Sequence, residues 1–228
     1  MKVMILAAGK GTRMLPLTEK MPKPLLRAGS RTLIEHQIIK LKDQGFSDLV
    51  INHAWLGEQL EQALGNGSKL GVNIRWSSEG EPLETAGGIH KALPLLGDEP
   101  FVVVNADVWT DFPYAALRSA KADADLIHLV LVDNPPQHSQ GDFCITSGNR
   151  LAEKQPGLPT FTYSGIGVFS PALFSALPSG KYPLLPLLVD AIGKGKAGAS
   201  FHKGIWLDIG TPERLKRLDE TLNKENYP

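Results

Sequence analysis

Three stretches constrain the fold more than any other feature: "KVMILAA" (residues 2–8), "FVVVNAD" (101–107) and "LIHLVLV" (126–132) each carry at least four consecutive apolar residues. A strand with one wet face alternates apolar and polar side chains. A continuous run of strand length demands burial on both faces, which a parallel sheet covered by helices provides. Helical patterns lie between these runs. Thr32 and Glu35 read as a capping box ahead of Ile34, Ile38 and Leu41, with Gly45 as the stop. "LVINHA" (49–54) and "VNIRWS" (72–77) read as further strands, and Glu58–Leu64 and Ala86–Leu93 as helices. Asp111 and Pro113 open a predicted helix reaching Ala120. The β-α-β order predicts an α/β fold with a parallel, right-handed, doubly wound sheet.

After Asp133 the texture changes. "NPPQHSQGD" is a loop, and "FCITSGNRLAEK" reads as a hairpin turning at Ser147–Asn149. A strand "TFTYSGIGVFS", helices near 171–177 and 184–192, and a strand at 199–209 come next. Thr211, Pro212 and Glu213 open a final amphipathic helix bearing Leu215, Leu218 and Leu222. With no repeat or linker, residues 1–228 read as one domain: a mostly parallel central sheet with a small sheet extension in the second half.

The 24 basic and 24 acidic residues cancel, which argues against nucleic acid or an anionic membrane surface as partner. No apolar run approaches the roughly 18 residues of a membrane span. The first run ends in Gly9-Lys10-Gly11 and not in a cleavage site. Cys144 is alone, so no intramolecular disulfide can form and a cytoplasmic location is expected.

The chemistry concentrates in "LAAGKGTRMLPLTEKMPKPLL" (6–26), directly behind the first buried run. Gly9 and Gly11 let backbone N–H groups approach phosphate oxygens, while Lys10, Arg13 and Lys23 supply charge. Two familiar phosphate loops do not fit. The P-loop requires lysine after its second glycine, where Thr12 stands; the dinucleotide fingerprint requires a third glycine, where Met14 stands. Asp107 and Asp208 each end an apolar run, and two aspartates meeting over a triphosphate suit Mg²⁺. Spacing alone leaves another reading open, with Asp208 orienting the Gly210–Pro212 turn and Asp107 capping the segment after it. The six histidines show no metal-ligand spacing, and no nucleophile elbow is present.

The glycine stretch resembles the signature of the sugar-1-phosphate nucleotidylyltransferases, L-A-A-G-x-G-T-R-x-x-P-L-T-x-x-x-P-K-P. "EPLETAGGI" (81–89), "VVNAD" (103–107), "EK" (153–154), "YSGIGVF" (163–169) and "WLDIGTP" (206–212) resemble the family's later motifs in order. The resemblance implies a Rossmann-like nucleotide-diphospho-sugar transferase fold and a Mg²⁺-dependent reaction. Ala8, Gly9, Gly11, Thr12 and Arg13 would wrap the nucleoside triphosphate, and Lys23 would meet its α-phosphate. Glu79, Glu84 and Gly87 would read the base; relatives often carry glutamine where Glu79 stands. Asp107 and Asp208 would hold the metal, and with Arg13 and Lys23 carry catalysis. Asn105, Gly141, Asp142, Glu153, Lys154, Ser164 and Gly165 fall on the sugar-phosphate side. The nucleotide half would run to about residue 133 and the sugar-phosphate half from 134 to 228.

Within that family the compact outline resembles the members of peptidoglycan recycling, and the resemblance implies UTP and N-acetylmuramate α-1-phosphate as substrates. Arg150 or Arg27 would then face the sugar's carboxylate. Mannose-1-phosphate guanylyl transfer and glucose-1-phosphate nucleotidyl transfer are the alternatives, with a sugar-nucleotide sensor as the non-enzyme reading. No nucleic acid, membrane or obligate protein partner is expected.

Overall fold

The structure, a computed structural model, describes residues 1–120 and 125–224. Its first half runs β1 (Val3–Leu6), β2 (Arg27–Ala28), β3 (Arg31–Thr32), α1 (Leu33–Asp43), β4 (Asp48–His53), α2 (Gly57–Leu64), β5 (Asn73–Ser78), α3 (Glu84–Leu96) and β6 (Phe101–Asn105). Then come β7 (Val108–Thr110), β8 (Ile127–Val132), β9 (Cys144–Thr146), β10 (Arg150–Ala152), β11 (Thr162–Phe169), α4 (Leu185–Gly193), β12 (Ala197–His202), β13 (Trp206–Asp208) and α5 (Pro212–Lys224).

Among the described residues, nine strands form one sheet in the order β5-β4-β1-β6-β11-β8-β12-β10-β9. The β5-β4-β1-β6 run is parallel throughout, as is the β8–β12 pair. β11 lies antiparallel between β6 and β8, and the β9–β10 hairpin closes the far edge. The direction of β11 was not legible, because a run buried on both faces has the same composition either way.

The apolar runs divide their side chains between two cores. Val3, Ile5, Val102 and Val104 pack with α1 on one face. Met4, Phe101, Val103, Leu129 and Leu131 pack with α3 and α4 on the other. Each fully buried aliphatic side chain contributes about 1.5–3 kcal/mol. The capping box is present: the Thr32 hydroxyl accepts from the Glu35 N–H at 3.3 Å, and Glu35 accepts from the Thr32 N–H at 2.7 Å.

Three expected elements differ. The Asp111–Ala120 helix is a short 3₁₀ turn, Tyr114–Arg118, tied down by buried Tyr114 and Leu117. The 171–177 helix is likewise one 3₁₀ turn, Pro171–Leu173. The 199–209 strand breaks at Gly204, where a Cβ would meet Asp111 Oδ1 at 2.3 Å and His202 Cε1 at 2.5 Å. Past that break β13 leaves the main sheet and pairs antiparallel with β7. This small ribbon carries the end of β13 to the carboxyl edge of β6.

Candidate active site

β1 and β6 end side by side, and the Ala106 N–H extends their ladder to Leu6 O at 3.1 Å. The loop leaving β1 must turn back on itself. Gly11 makes this possible at φ 64°, a conformation that glycine adopts freely. A Cβ on Gly11 would meet Thr18 Cγ2 at 3.0 Å and Lys23 Cβ at 3.2 Å. The Thr18 hydroxyl donates to Gly11 O at 2.8 Å and fixes the return. Met14, at the position a dinucleotide loop gives to glycine, is fully buried with Leu26, Ile209, Leu215 and Leu218. The loop is thus anchored on α5 by an apolar plug, with its glycines left toward the cleft.

Gly9, Gly11, Thr12, Arg13 and Lys23 line a cavity of about 330 Å³, together with Asn105 and Asp107 at the end of β6. Lys23 pairs with Asp107, their side chains 11% and 26% exposed. A smaller cavity of about 170 Å³ adjoins it, lined by Ala8, Gly9, Glu79, Glu84 and Thr85. Asn52 organises this corner. Its Oδ1 accepts from the Ala7 N–H at 2.9 Å, and its Nδ2 donates to Glu79 Oε1 at 2.6 Å. Glu79 Oε2 in turn accepts from the Leu83 N–H at 2.8 Å. Glu84 opens α3 at φ 59°, a left-handed conformation that costs a non-glycine residue about 1–3 kcal/mol. Gly87 lines none of these cavities. Its N–H donates to Tyr182 O at 3.2 Å, and a Cβ there would strike Gly180 O at 2.3 Å.

A second large cavity, about 360 Å³, shares Arg13, Asn105 and Asp107 with the first and adds Asp208. The β7–β13 ribbon joins the two aspartates: Asp208 pairs with Val108, and the Ile209 N–H donates to Asp107 O at 2.9 Å. Arg214, one turn into α5, donates to Asp208 Oδ2 at 2.7 Å. A methyl group on Gly210 would lie 3.2 Å from both the Arg13 and Arg214 guanidinium nitrogens. Tyr163, Trp206, Gln137 and His138 also line this 360 Å³ cavity. Burial pushes the Tyr163 phenol well above its ordinary range, so it stays neutral.

The sugar-side residues expected from sequence divide in two. Asn105 and Ser164 line the cavity, although the Ser164 hydroxyl turns inward and donates to Val130 O at 2.7 Å. Gly165 supports Asn105 from behind: at φ 77°, its Cβ would lie 2.5 Å from Asn105 Nδ2. Gly141, Asp142, Glu153 and Lys154 line none of these three cavities. Lys154 donates to Gly141 O at 3.2 Å, Asp142 accepts from the Tyr163 N–H at 2.8 Å, and Glu153 is exposed. Arg150 is committed to Asp125, with two bonds of 2.9 Å, and exposed Arg27 donates to Ser30 O. Neither arginine lines the cleft.

Two carboxylates flanked by guanidinium and ammonium groups, at the mouth of a glycine loop, make a site for polyanions. The comparisons agree. Residues 2–225 match the nucleotidyl transferase family. The chain belongs to that family. This nucleotidyl transferase is 47% identical over 221 residues to an N-acetylmuramate alpha-1-phosphate uridylyltransferase of Neisseria meningitidis, covering 95% of this chain and 96% of that protein. It is 31% identical to mannose-1-phosphate guanyltransferase beta-B of Xenopus laevis, covering 93% of this chain but 62% of that longer one. The fold is also that of HddC from Yersinia pseudotuberculosis solved with GMP-PN, at TM-score 0.80 and 22% identity over 97% of this chain and 99% of that one. Among the described residues no helix is long and apolar enough to cross a membrane.

Sequence reasoning missed Asn52, Thr85, Arg214 and His138 in this transferase. Thr85 sits in the first turn of α3 and lines both the 330 and 170 Å³ cavities. A polar residue at a helix start just after Gly80 and Pro82 was a usable signal. Asn52 ends a buried strand, where a polar side chain needs a partner. Nothing in the sequence ties Arg214 to Asp208 or marks one histidine of six.

Proposed function

We propose that the chain transfers a uridylyl group from UTP to a sugar 1-phosphate, specifically N-acetylmuramate α-1-phosphate, releasing pyrophosphate and giving UDP-N-acetylmuramate. The observation that carries the reading is the meeting of the 330 and 360 Å³ cavities at Arg13, Asn105 and Asp107. Two substrates entering from either side would bring their phosphates together there. The 47% identical relative supplies the choice of sugar and nucleotide.

The sugar phosphate already carries close to two negative charges at pH 7, so no general base is needed. One of its oxygens bonds to the α-phosphorus, the bond from α-phosphorus to the bridging oxygen breaks, and pyrophosphate leaves. Catalysis is alignment plus neutralisation of charge. Gly9, Gly11 and Thr12 would offer backbone N–H groups to the triphosphate. Arg13 would hold the leaving phosphates, and Lys23 would stand where the α-phosphate meets its attacker. Asp107 and Asp208 form an all-oxygen donor set that suits Mg²⁺, which takes one or two carboxylates and completes its shell with phosphates and water. When bound, the ion neutralises triphosphate charge. In this reading residues 1–133 serve mainly the nucleotide and 134–228 mainly the sugar, within one cytoplasmic domain of peptidoglycan recycling.

A specific observation favours a second reading. Glu79 and Glu84 give the small cavity two acceptor side chains, a match for the adjacent N–H donors of guanine. Mannose-1-phosphate guanylyl transfer is therefore the rival. Pyrophosphate release across UTP, GTP, dTTP and ATP, each paired with four sugar 1-phosphates (N-acetylmuramate, N-acetylglucosamine, mannose and glucose), separates them. The highest kcat/KM is expected for UTP with the muramate. A maximum for GTP with mannose 1-phosphate overturns the reading.

A further inference from the structure

The 360 Å³ cavity has two lining side chains that can carry positive charge, Arg13 and His138. Arg13 stands at the junction with the other large cavity, beside Asp107, and belongs to the phosphate end. Asp107 and Asp208 also line the cavity and repel any further anion. With Arg13 taken by the phosphate end, His138 is the other lining side chain among the described residues that can carry positive charge toward a sugar's carboxylate.

His138 is firmly mounted. Its Nε2 lies 2.8 Å from Asp142 Oδ1, while Asp142 Oδ2 accepts from the Tyr163 N–H of β11 at 2.8 Å. The Gly141 N–H closes the turn onto His138 O at 3.1 Å, and Lys154 holds Gly141 O from behind at 3.2 Å. Gly141 is itself fixed, because at φ 56° a Cβ would lie 2.6 Å from Asn134 Oδ1. With Nε2 committed to Asp142, Nδ1 is the ring nitrogen left for a ligand. An imidazolium between Asp142 and a ligand carboxylate has both N–H groups satisfied by anions.

We propose that His138, oriented by Asp142, is the specificity-determining residue that selects a carboxylate-bearing sugar 1-phosphate over its neutral counterpart. The inference rests on the uridylyltransferase reading above. It also gives Gly141, Asp142 and Lys154 a shared task, which is to present His138 and not to touch substrate. Beyond the Trp206–Asp208 strand a neighbouring cavity of about 520 Å³ holds Arg214 and Arg217. Arg214 is committed to Asp208, so Arg217 is the competing cation.

The test compares kcat/KM for N-acetylmuramate α-1-phosphate and N-acetylglucosamine α-1-phosphate, which differ in the lactyl carboxylate arm. It uses wild type, His138→Ala, His138→Gln, Asp142→Asn and Arg217→Ala, with thermal melting as the check on folding. In His138→Ala the acidic sugar should lose about 10- to 100-fold, mainly through KM, the span of a lost charge-assisted hydrogen bond. The neutral sugar should change by less than about threefold. Asp142→Asn should give a smaller loss of the same selectivity, and Arg217→Ala none. Equal losses on both sugars, unchanged preference in both His138 variants, or a loss confined to Arg217→Ala overturns the assignment and leaves the substrate reading standing. A wild-type enzyme without preference for the acidic sugar overturns the substrate reading, and this assignment with it.

Discussion

On one side of Asn105 and Asp107 the wall of the cleft is largely backbone, with Gly9 and Gly11 facing the cavity and Met14 plugged into the core behind them. On the other side the wall is side chains, Tyr163, Trp206 and His138, braced by residues that never reach the cavity. The N–H groups and left-handed turn of the first wall suit phosphates, and side chains with more selective chemistry, Glu79 and Glu84, stand in the adjoining small cavity. The second is made of side chains, whose identity decides what it can bind.

The strongest way to break this division is at the residue both sides share. Asp107→Ala should lower kcat by at least about 100-fold, the scale of losing a principal electrostatic contact in a phosphoryl-type transfer, with thermal melting near wild type. Near-normal turnover would remove Asp107 from the junction. Gly165→Ala probes the bracing layer. Its new Cβ would press on Asn105 Nδ2 from 2.5 Å at φ 77°, so kcat/KM should fall about tenfold and stability by about 1–3 kcal/mol. A loss of stability with no loss of kcat/KM would show that Asn105 does not matter to either substrate.

The smallest effect belongs to the opposite edge of the sheet, at His128 near the start of β8. Burial lowers its pKa below the ordinary histidine value; nearby Asp125 opposes the shift and Arg150 adds to it. Among the described residues its Nε2 has no hydrogen-bond partner. A lowered folded-state pKa means the unfolded chain binds the proton first. Stability is therefore complete above about pH 6.5 and falls as pH drops below that value. Melting curves from pH 7.5 to 5 should show this decline, shallower in His128→Gln, with kcat/KM at pH 7.5 unchanged. A steeper decline in the variant would put the titration elsewhere.

The backbone wall was the more legible one. "KVMILAA" followed by glycines and returning cations announces a buried strand that opens into an anion loop, because those residue types act locally. Gly9, Gly11, Arg13 and Lys23 all line the cavity their pattern suggested. The side-chain wall was less legible, because its parts meet through tertiary contacts. β13 had to leave the main sheet for Asp208 to approach Asp107, and no local signal marks Gly204 as the break. Likewise Gly141, Asp142 and Lys154 were expected to meet the sugar phosphate; they line none of the three cavities, and only the hydrogen bonds tie them to His138 and Tyr163, which line the 360 Å³ one.

Each of the two central carboxylates already has a cation supplied by the chain itself, Lys23 on Asp107 and Arg214 on Asp208. Loading the site is then an exchange of partners and not an accumulation of charge. A polyanion entering the cleft offers Lys23 and Arg214 new partners, so the charge it brings is met by cations already held at the junction.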